Sequence, residues 1–276
     1  IGADAETARR SAEELVAAGV EVIVGPMNSG SIDLIQPVVE AAGVLLISPT
    51  ASAVKFHGKD DNLFRINATT RDNGRHYAEH YYARGIRRIA VAVNQNNRAF
   101  SESWLQEFRR AYEAVGGTVL IAPFFDSNAP SYEPVVHQLL AERPDGVLFI
   151  GNAVDSARLA QQVHKLRPGT PMIVAEWAGT SQLIELGGKA VEGLMLVQNY
   201  NQEDDSPRFR AFQDAYRKRF GKAPVYSSVL TYDAGIAVLT ALARRDAGMR
   251  LKDALLRFGP YEGLQQKVGF DANGDA

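Results

Sequence analysis

The chain has 276 residues, 46% hydrophobic and 22% charged, an ordinary globular balance long enough to bury a sizeable core in one large domain or two small ones. A formal charge of −2 gives no electrostatic case for binding nucleic acid or an anionic membrane surface. The lack of cysteine excludes disulfides, thiolate nucleophiles and cysteine-based zinc sites but leaves the compartment open, and no apolar run approaches the roughly 20 residues that span a bilayer.

The opening Ile1-Gly2-Ala3-Asp4 already reads as the lead into a helix, with no signal peptide, so the start looks mature, trimmed or incomplete. Asp4 can cap a helix whose apolar face carries Ala8, Ala12, Leu15 and Val16, with Gly19 as its stop. A strand follows at Val20 to Val24, then a helix capped by Ser31 and ended by Gly43, then strands at Val44 to Ile47 and Phe64 to Ile66. Asp72 to Arg84 is helical and Arg88 to Val93 a strand; Ser101 to Val115 is helical and Thr118 to Ala122 a strand. The alternation continues with a helix at Tyr132 to Glu142, a strand at Gly146 to Ile150 and a helix at Val154 to Leu166. A strand at Met172 to Ala175, a short helix at Thr180 to Leu186 and a strand at Gly193 to Val197 complete the series. Three helical stretches close the chain: Pro207 to Phe220, Ser228 to Arg245 and Leu251 to Arg257.

Several strands are continuous apolar runs, the signature of strands covered on both faces, so the repeated strand–helix units imply parallel sheets with helices on both sides. Two polar breaks, Asn67 to Asp72 and Asn199 to Ser206, read as crossings between two lobes. The expected fold is α/β with two doubly wound lobes joined by a hinge. The first takes residues 1–68 and 199–267, the second 69–198 and the tail 268–276.

Ligands of open parallel sheets bind beyond the carboxyl ends of the strands. Two of those turns, Gly25 to Ser31 and Ser48 to Ala53, are short and hydroxyl-rich. The first meets a helix N-terminus, where free N–H groups and the helix dipole favour a carboxylate; the same Ser and Thr residues also serve as ordinary caps and turns. Further along, Asn94 to Phe100, Gly151-Asn152-Ala153 and Glu176-Trp177-Ala178-Gly179 stand at strand ends. An acid beside a tryptophan offers an ammonium receptor with an apolar wall, or else a surface Glu beside a core Trp.

On these residues the chain resembles the type I periplasmic binding proteins, in the leucine/isoleucine/valine-binding branch of ABC transporter substrate-binding proteins. The resemblance covers nearly the whole chain. It runs through GPMNSG at Gly25 to Gly30, GVLLISPTAS at Gly43 to Ser52, LFRINATTRDNG at Leu63 to Gly74 and RPDGVLFIG at Arg143 to Gly151, then VEGLML, YDAGIAVLTAL and VGFDANGD. No single motif is decisive; their order and spacing together are specific. The resemblance implies a carboxylate held by Ser29, Thr50, Ala51 and Ser52, with Thr50 and Ala51 acting largely through backbone groups. It also implies an aromatic wall at Phe100, where relatives often carry Tyr-Gly, and an ammonium read by Glu176 beside Trp177. It implies no cofactor and no metal, a small amino-acid-like ligand, an ABC permease as partner, and a periplasmic or extracellular place with a possible lipid anchor outside this chain. Relatives begin with a further segment that supplies the lobe's central first strand, so that strand is expected to be missing here, and they continue past Ala276 into another strand. The same fold also serves as the extracytoplasmic sensor of signalling receptors, the alternative reading.

Other constellations carry less. His76 and His80 sit four apart with Glu79 between, but HYAEH is not HExxH and no third ligand lies nearby, so a solvated helix face is expected. No Gly-Lys-Ser/Thr phosphate loop, GxGxxG or Gly-x-Ser-x-Gly elbow exists. The Arg84/Arg87/Arg88 and Arg217/Lys218/Arg219 clusters fall near helix ends, where cations complement the dipole. Asp233 is expected to cap or pair locally. An enzyme would need a base paired with a nucleophile, which the hydroxyl turns and single acid do not provide.

Overall fold

The computed structural model describes residues 5–198 and 200–276. The expected Asp4 cap and the residue that opens the second polar break, Asn199, lie outside the described residues. The elements run α1 (Ala5–Ala17), β1 (Val22–Val24), α2 (Ser29–Ala41), β2 (Leu45–Ser48), β3 (Leu63–Arg65), α3 (Thr70–Ala83), β4 (Arg88–Asn94), α4 (Arg98–Ala114), β5 (Thr118–Ile121), β6 (Phe124–Phe125), α5 (Glu133–Ala141), β7 (Gly146–Ile150), α6 (Ala153–Leu166), β8 (Met172–Val174), α7 (Ser181–Gly187), α8 (Pro207–Phe220), α9 (Tyr226–Arg244), α10 (Leu251–Phe258), β9 (Tyr261–Glu262) and β10 (Lys267–Val268). They fall into two compact units, residues 1–68 with 200–276, and residues 69–199.

In the first unit β1, β2 and β3 form a parallel sheet in that order, with Val22 opposite Leu45 and Leu46 opposite Leu63. Side chains alternate across a strand, so β2 sends Leu46 into the core with Ile32, Ile35 and Val39 of α2 and Ala12 of α1. Leu45 and Ile47 enter the opposite core with Ala234, Ala237 and Val238 of α9 and Leu251 and Leu255 of α10. This double cover explains the unbroken apolar run of β2. Leu15, expected on the apolar face of α1, is 40% exposed. The cap of α2 is Asn28 rather than Ser31: Asn28 Oδ1 accepts from the Ser31 N–H at 2.8 Å. Among the described residues, β1 has a strand partner on one side only, and Val24 is 43% exposed.

The tail belongs to this first unit, not to the second as the sequence suggested. Gly274 O accepts from Arg65 N at 2.9 Å and Ala276 N donates to Arg65 O at 3.1 Å, setting Asp275 beside β3 in a parallel bridge. The Asp275 carboxylate takes the Arg65 guanidinium through Nε at 2.7 Å and through Nη2, the Gly58 N–H at 2.8 Å, and lies 2.9 Å from His57 Nδ1. A charged pair this deeply placed holds the tail because leaving either partner alone would bury a bare charge.

In the second unit the parallel sheet runs β5-β4-β7-β8, with β6 also on β4. Ala90, Ala92, Val147, Phe149 and Val174 face α5 and α6, while Ile89, Val91, Val93, Leu148 and Ile173 face α3 and α4. Helices α3 and α4 touch closely at Gly74, where a Cβ would meet Phe108 N at 2.8 Å. The expected strand at Gly193 to Val197 is reduced to one bridge, Met195 with Ile173, closed by Met195 N to Met172 O and Val174 N to Met195 O, each 3.0 Å. The short β9–β10 hairpin was not anticipated. The helix expected at Ser228 to Arg245 is α9, and at 19 residues it is long and apolar enough to cross a membrane by those two measures. Here one face is buried on the first sheet and includes the carboxyl-bearing Asp233.

Candidate functional site

The two hydroxyl-rich turns of the first unit are laced to each other. Leaving β1, the Gly25 N–H donates to Ile47 O at 2.9 Å, and Pro26 O accepts from Ser48 Oγ at 2.6 Å. Met27 O accepts from Thr50 Oγ1. Ser29, the first residue of α2 and 1% exposed, accepts from the Ala53 N–H through Oγ at 3.4 Å. Within the second turn Ser48 Oγ accepts from Ala51 N at 3.2 Å, and Asn67 Nδ2 donates to Thr50 O at 3.2 Å.

Ser29, Thr50, Ala51 and Ser52 are thus brought together at the carboxyl ends of β1 and β2. The Ala51 N–H and the Thr50 carbonyl are engaged within the turns, while Ser52 Oγ is buried with no hydrogen-bond partner. A buried hydroxyl left unpaired costs on the order of 1–3 kcal/mol, so Ser52 is where this turn is chemically unfinished.

In the second unit, Asn94 ends β4 and turns the chain by accepting from Asn96 N at 2.8 Å and Asn97 N at 3.0 Å through Oδ1. Ser101 Oγ donates to Asn94 O at 2.5 Å, anchoring the first turn of α4, which carries Phe100. Phe100 packs edge-on against Trp177, ring centroids 5.5 Å apart at 75°. Ala153, the first residue of α6, is buried, and Val154 is 39% exposed.

Glu176 opens a single 3-10 turn just past β8. It is 5% exposed, which removes the reading of a surface acid, and both carboxylate oxygens are held: Oε1 by Asn73 Nδ2 and Oε2 by Trp104 Nε1, each at 2.8 Å. Burial pushes its pKa above the ordinary carboxylate range, and the Trp104 bond, a backbone bond of its own and the Asn73 bond pull against that. Trp177 is only partly buried and packs on the core that contains Phe100 and Trp104.

Sequence reasoning missed Asn73 and Trp104, and it missed a second buried acid. Asp155, in the first turn of α6, accepts through Oδ2 from Asn94 Nδ2 at 2.9 Å, Ser127 Oγ at 2.7 Å and Asn152 Nδ2 at 2.8 Å, and through Oδ1 from Tyr132 OH at 2.6 Å. Four neutral donors saturate it, so it ties four strand ends and turns together rather than offering a free charge. Ser156 Oγ and Thr180 Oγ1 are buried without partners in the same unit. His76, Glu79 and His80 lie exposed along α3, the solvated face their spacing suggested.

The comparisons follow the same lines. A profile of the family described as "Periplasmic binding protein" matches residues 1–276. The chain is 23% identical over 232 residues to the Leu/Ile/Val-binding protein BraC3 of Rhizobium johnstonii, covering 84% of this chain and 62% of that one. To the leucine-, isoleucine-, valine-, threonine- and alanine-binding protein of Pseudomonas aeruginosa it is 23% identical over 99% of this chain and 73% of that one. Both relatives carry the name of binding proteins, and the chain spans less than two thirds of the first of them. Among solved structures, a leucine binding protein from Thermotoga maritima superposes with a TM-score of 0.90 at 23% identity, covering 99% of this chain and 79% of that one. With a family profile matched from end to end and a fold shared with a solved binding protein, this chain belongs to the periplasmic binding protein family.

Proposed function

We propose that this protein is an extracytoplasmic solute-binding protein. It captures a small amino-acid-like ligand by closure of its two lobes, hands it to the membrane permease of an ABC transporter, works in the periplasm or at the cell exterior, and performs no chemistry. The observation that carries this reading is the pair of laced turns in the first unit. Ser29 and Ser52 sit buried at the carboxyl ends of two adjacent parallel strands, one of them opening a helix, and the Ser52 hydroxyl lacks a partner. Such a place suits a carboxylate, which accepts from hydroxyl and backbone N–H groups and is favoured at a helix N-terminus. The second unit supports the other half of the grip. Phe100 and Trp177 provide an aromatic wall for an apolar side chain, and Glu176 provides the anion for an ammonium group. The names of the relatives, which bind leucine, isoleucine and valine, point to the same ligand class.

The test is calorimetric titration of the full-length protein with a panel of free L-amino acids that includes leucine, isoleucine, valine, threonine and alanine. At least one is expected to bind, and Ser52→Ala is expected to weaken it about tenfold, the worth of one hydrogen bond to a charged group. A panel without a binder at millimolar concentration would overturn the proposal.

A further inference from the structure

Glu176 is a buried carboxylate whose two side-chain donors are both neutral. Trp104 reaches it from α4 and Asn73 from α3. Each oxygen keeps a second lone-pair position, since a carboxylate accepts about four bonds in all. Neither donor can swing aside. Trp104 is 0% exposed, packed edge-on to Tyr77 at 5.0 Å and stacked on Phe108 at 5.3 Å, and Phe108 stacks in turn on Tyr112 at 5.0 Å. Tyr77 is itself pinned, its OH donating to Val197 O at 3.2 Å and accepting from Val197 N at 2.9 Å. Asn73 is 5% exposed on the face of α3 that packs against α4.

We infer that Trp104 and Asn73 are positioning residues: one neutral N–H on each carboxylate oxygen fixes the plane of Glu176 and adds no opposing charge, so that the carboxylate faces the ligand's ammonium group uncancelled. The inference rests on the reading of Glu176 as the ammonium receptor. An arginine or lysine in place of either donor would hold the acid equally well but cancel the charge. Without either donor the Glu176 pKa would rise further, because burial raises it while the Trp104 bond, a backbone bond of its own and the Asn73 bond lower it. Beside that backbone bond, the two donors are the side chains that lower it. From α3 the titratable neighbour is Tyr77, whose own pKa is raised well above the tyrosine range. On α4, Arg98 pairs with Glu102, and Glu107 with Arg110 and Arg71. On α6, Asp155 is saturated by Asn94, Ser127, Asn152 and Tyr132.

The sign follows. An ionised Glu176 binds the ammonium, so affinity falls as pH drops through its pKa. Removing a donor raises that pKa, and the fall then begins at higher pH.

The experiment measures L-leucine binding to the full-length protein from pH 5 to pH 9, beside 4-methylpentanoate, which keeps the carboxylate and side chain but lacks the amine. Trp104→Phe and Asn73→Leu are each expected to weaken leucine about tenfold at pH 7, to move its acid limb to higher pH, and to leave 4-methylpentanoate unchanged. Asn73→Gln, which keeps the NH2 donor, is expected to recover most of the loss. Should Trp104→Phe fail to fold, Asn73→Leu and Asn73→Gln decide alone. If both ligands weaken together, or the acid limb stays in place, the residues are merely structural and the inference is wrong. If Glu176→Gln leaves leucine affinity unaltered, or the wild-type protein binds no leucine, the receptor reading fails first and takes the inference with it.

Discussion

The two units finish their parallel sheets in opposite ways. In the first, the strand-end turns are joined by hydroxyls: Ser48 to Pro26 O, Thr50 to Met27 O and Ala53 N to Ser29 Oγ, with one hydroxyl, on Ser52, left over. In the second, the strand ends converge on two buried carboxylates, Asp155 with four neutral donors and Glu176 with two. The first unit ties its strand ends with hydroxyls that carry no charge; the second ties them with carboxylates, of which Asp155 is filled by four donors and Glu176 has only two side-chain donors. On the proposed reading the Ser52 hydroxyl meets the ligand's anionic group and Glu176 its cationic one.

Removing each device should separate the two. The largest effect is expected at Asp155. Asp155→Ala removes the acceptor that Asn94, Ser127, Asn152 and Tyr132 share, and should cost about 3–5 kcal/mol in urea unfolding of the full-length protein, as loss of a buried charged partner does. A loss under about 1 kcal/mol would mean the network is incidental.

Next comes Asp233, on the face of α9 turned into the first unit. Its Oδ1 accepts from the Leu264 N–H at 2.7 Å, holding the β9–β10 turn, and burial pushes its pKa from 3.8 to about 6. The native state therefore holds this proton more tightly than the unfolded chain. Stability is greatest below the unfolded value, falls as pH rises toward 6, and is flat above it. Asp233→Asn keeps the acceptor and removes the charge. It should flatten that slope and make the protein more stable at pH 7 by on the order of 2 kcal/mol. Thermal melts from pH 4 to 7 check it, and an unchanged slope would assign the pH dependence elsewhere.

The smallest effect on stability is expected where the effect on binding is large. Ser52→Ala removes a hydroxyl that has no partner, so the melting temperature of the ligand-free protein should hold or rise slightly, by up to about 1 kcal/mol in stability. A clear drop in melting temperature would show that Ser52 holds the fold, not a ligand.

The order of elements was legible in the residues because it is local. Apolar runs such as Leu45 to Ile47 and Val147 to Ile150, punctuated by Gly19, Gly43 and Gly85, report helix and strand from neighbours a few positions away. The turns that carry Ser29 and Thr50 to Ser52 were legible for the same reason, as was the place of Glu176 at a strand end. Its partners were not: Asn73 lies 103 positions from it and Trp104 lies 72, so only the packing of α3 and α4 on the sheet brings them to it. Asp155 meets Asn94 across 61 positions in the same way. The extended stretch at Gly193 to Val197 has the composition of a strand yet forms a single bridge, since pairing depends on the neighbouring edge and not on propensity. The tail went to the first unit because Asp275 finds the buried Arg65 there, 210 positions upstream. Local chemistry along the chain settles which elements form and where a ligand would be met; which acid keeps its charge, and which hydroxyl is left without a partner, is decided only when distant segments pack, because hydrogen bonding and desolvation are properties of neighbours in space.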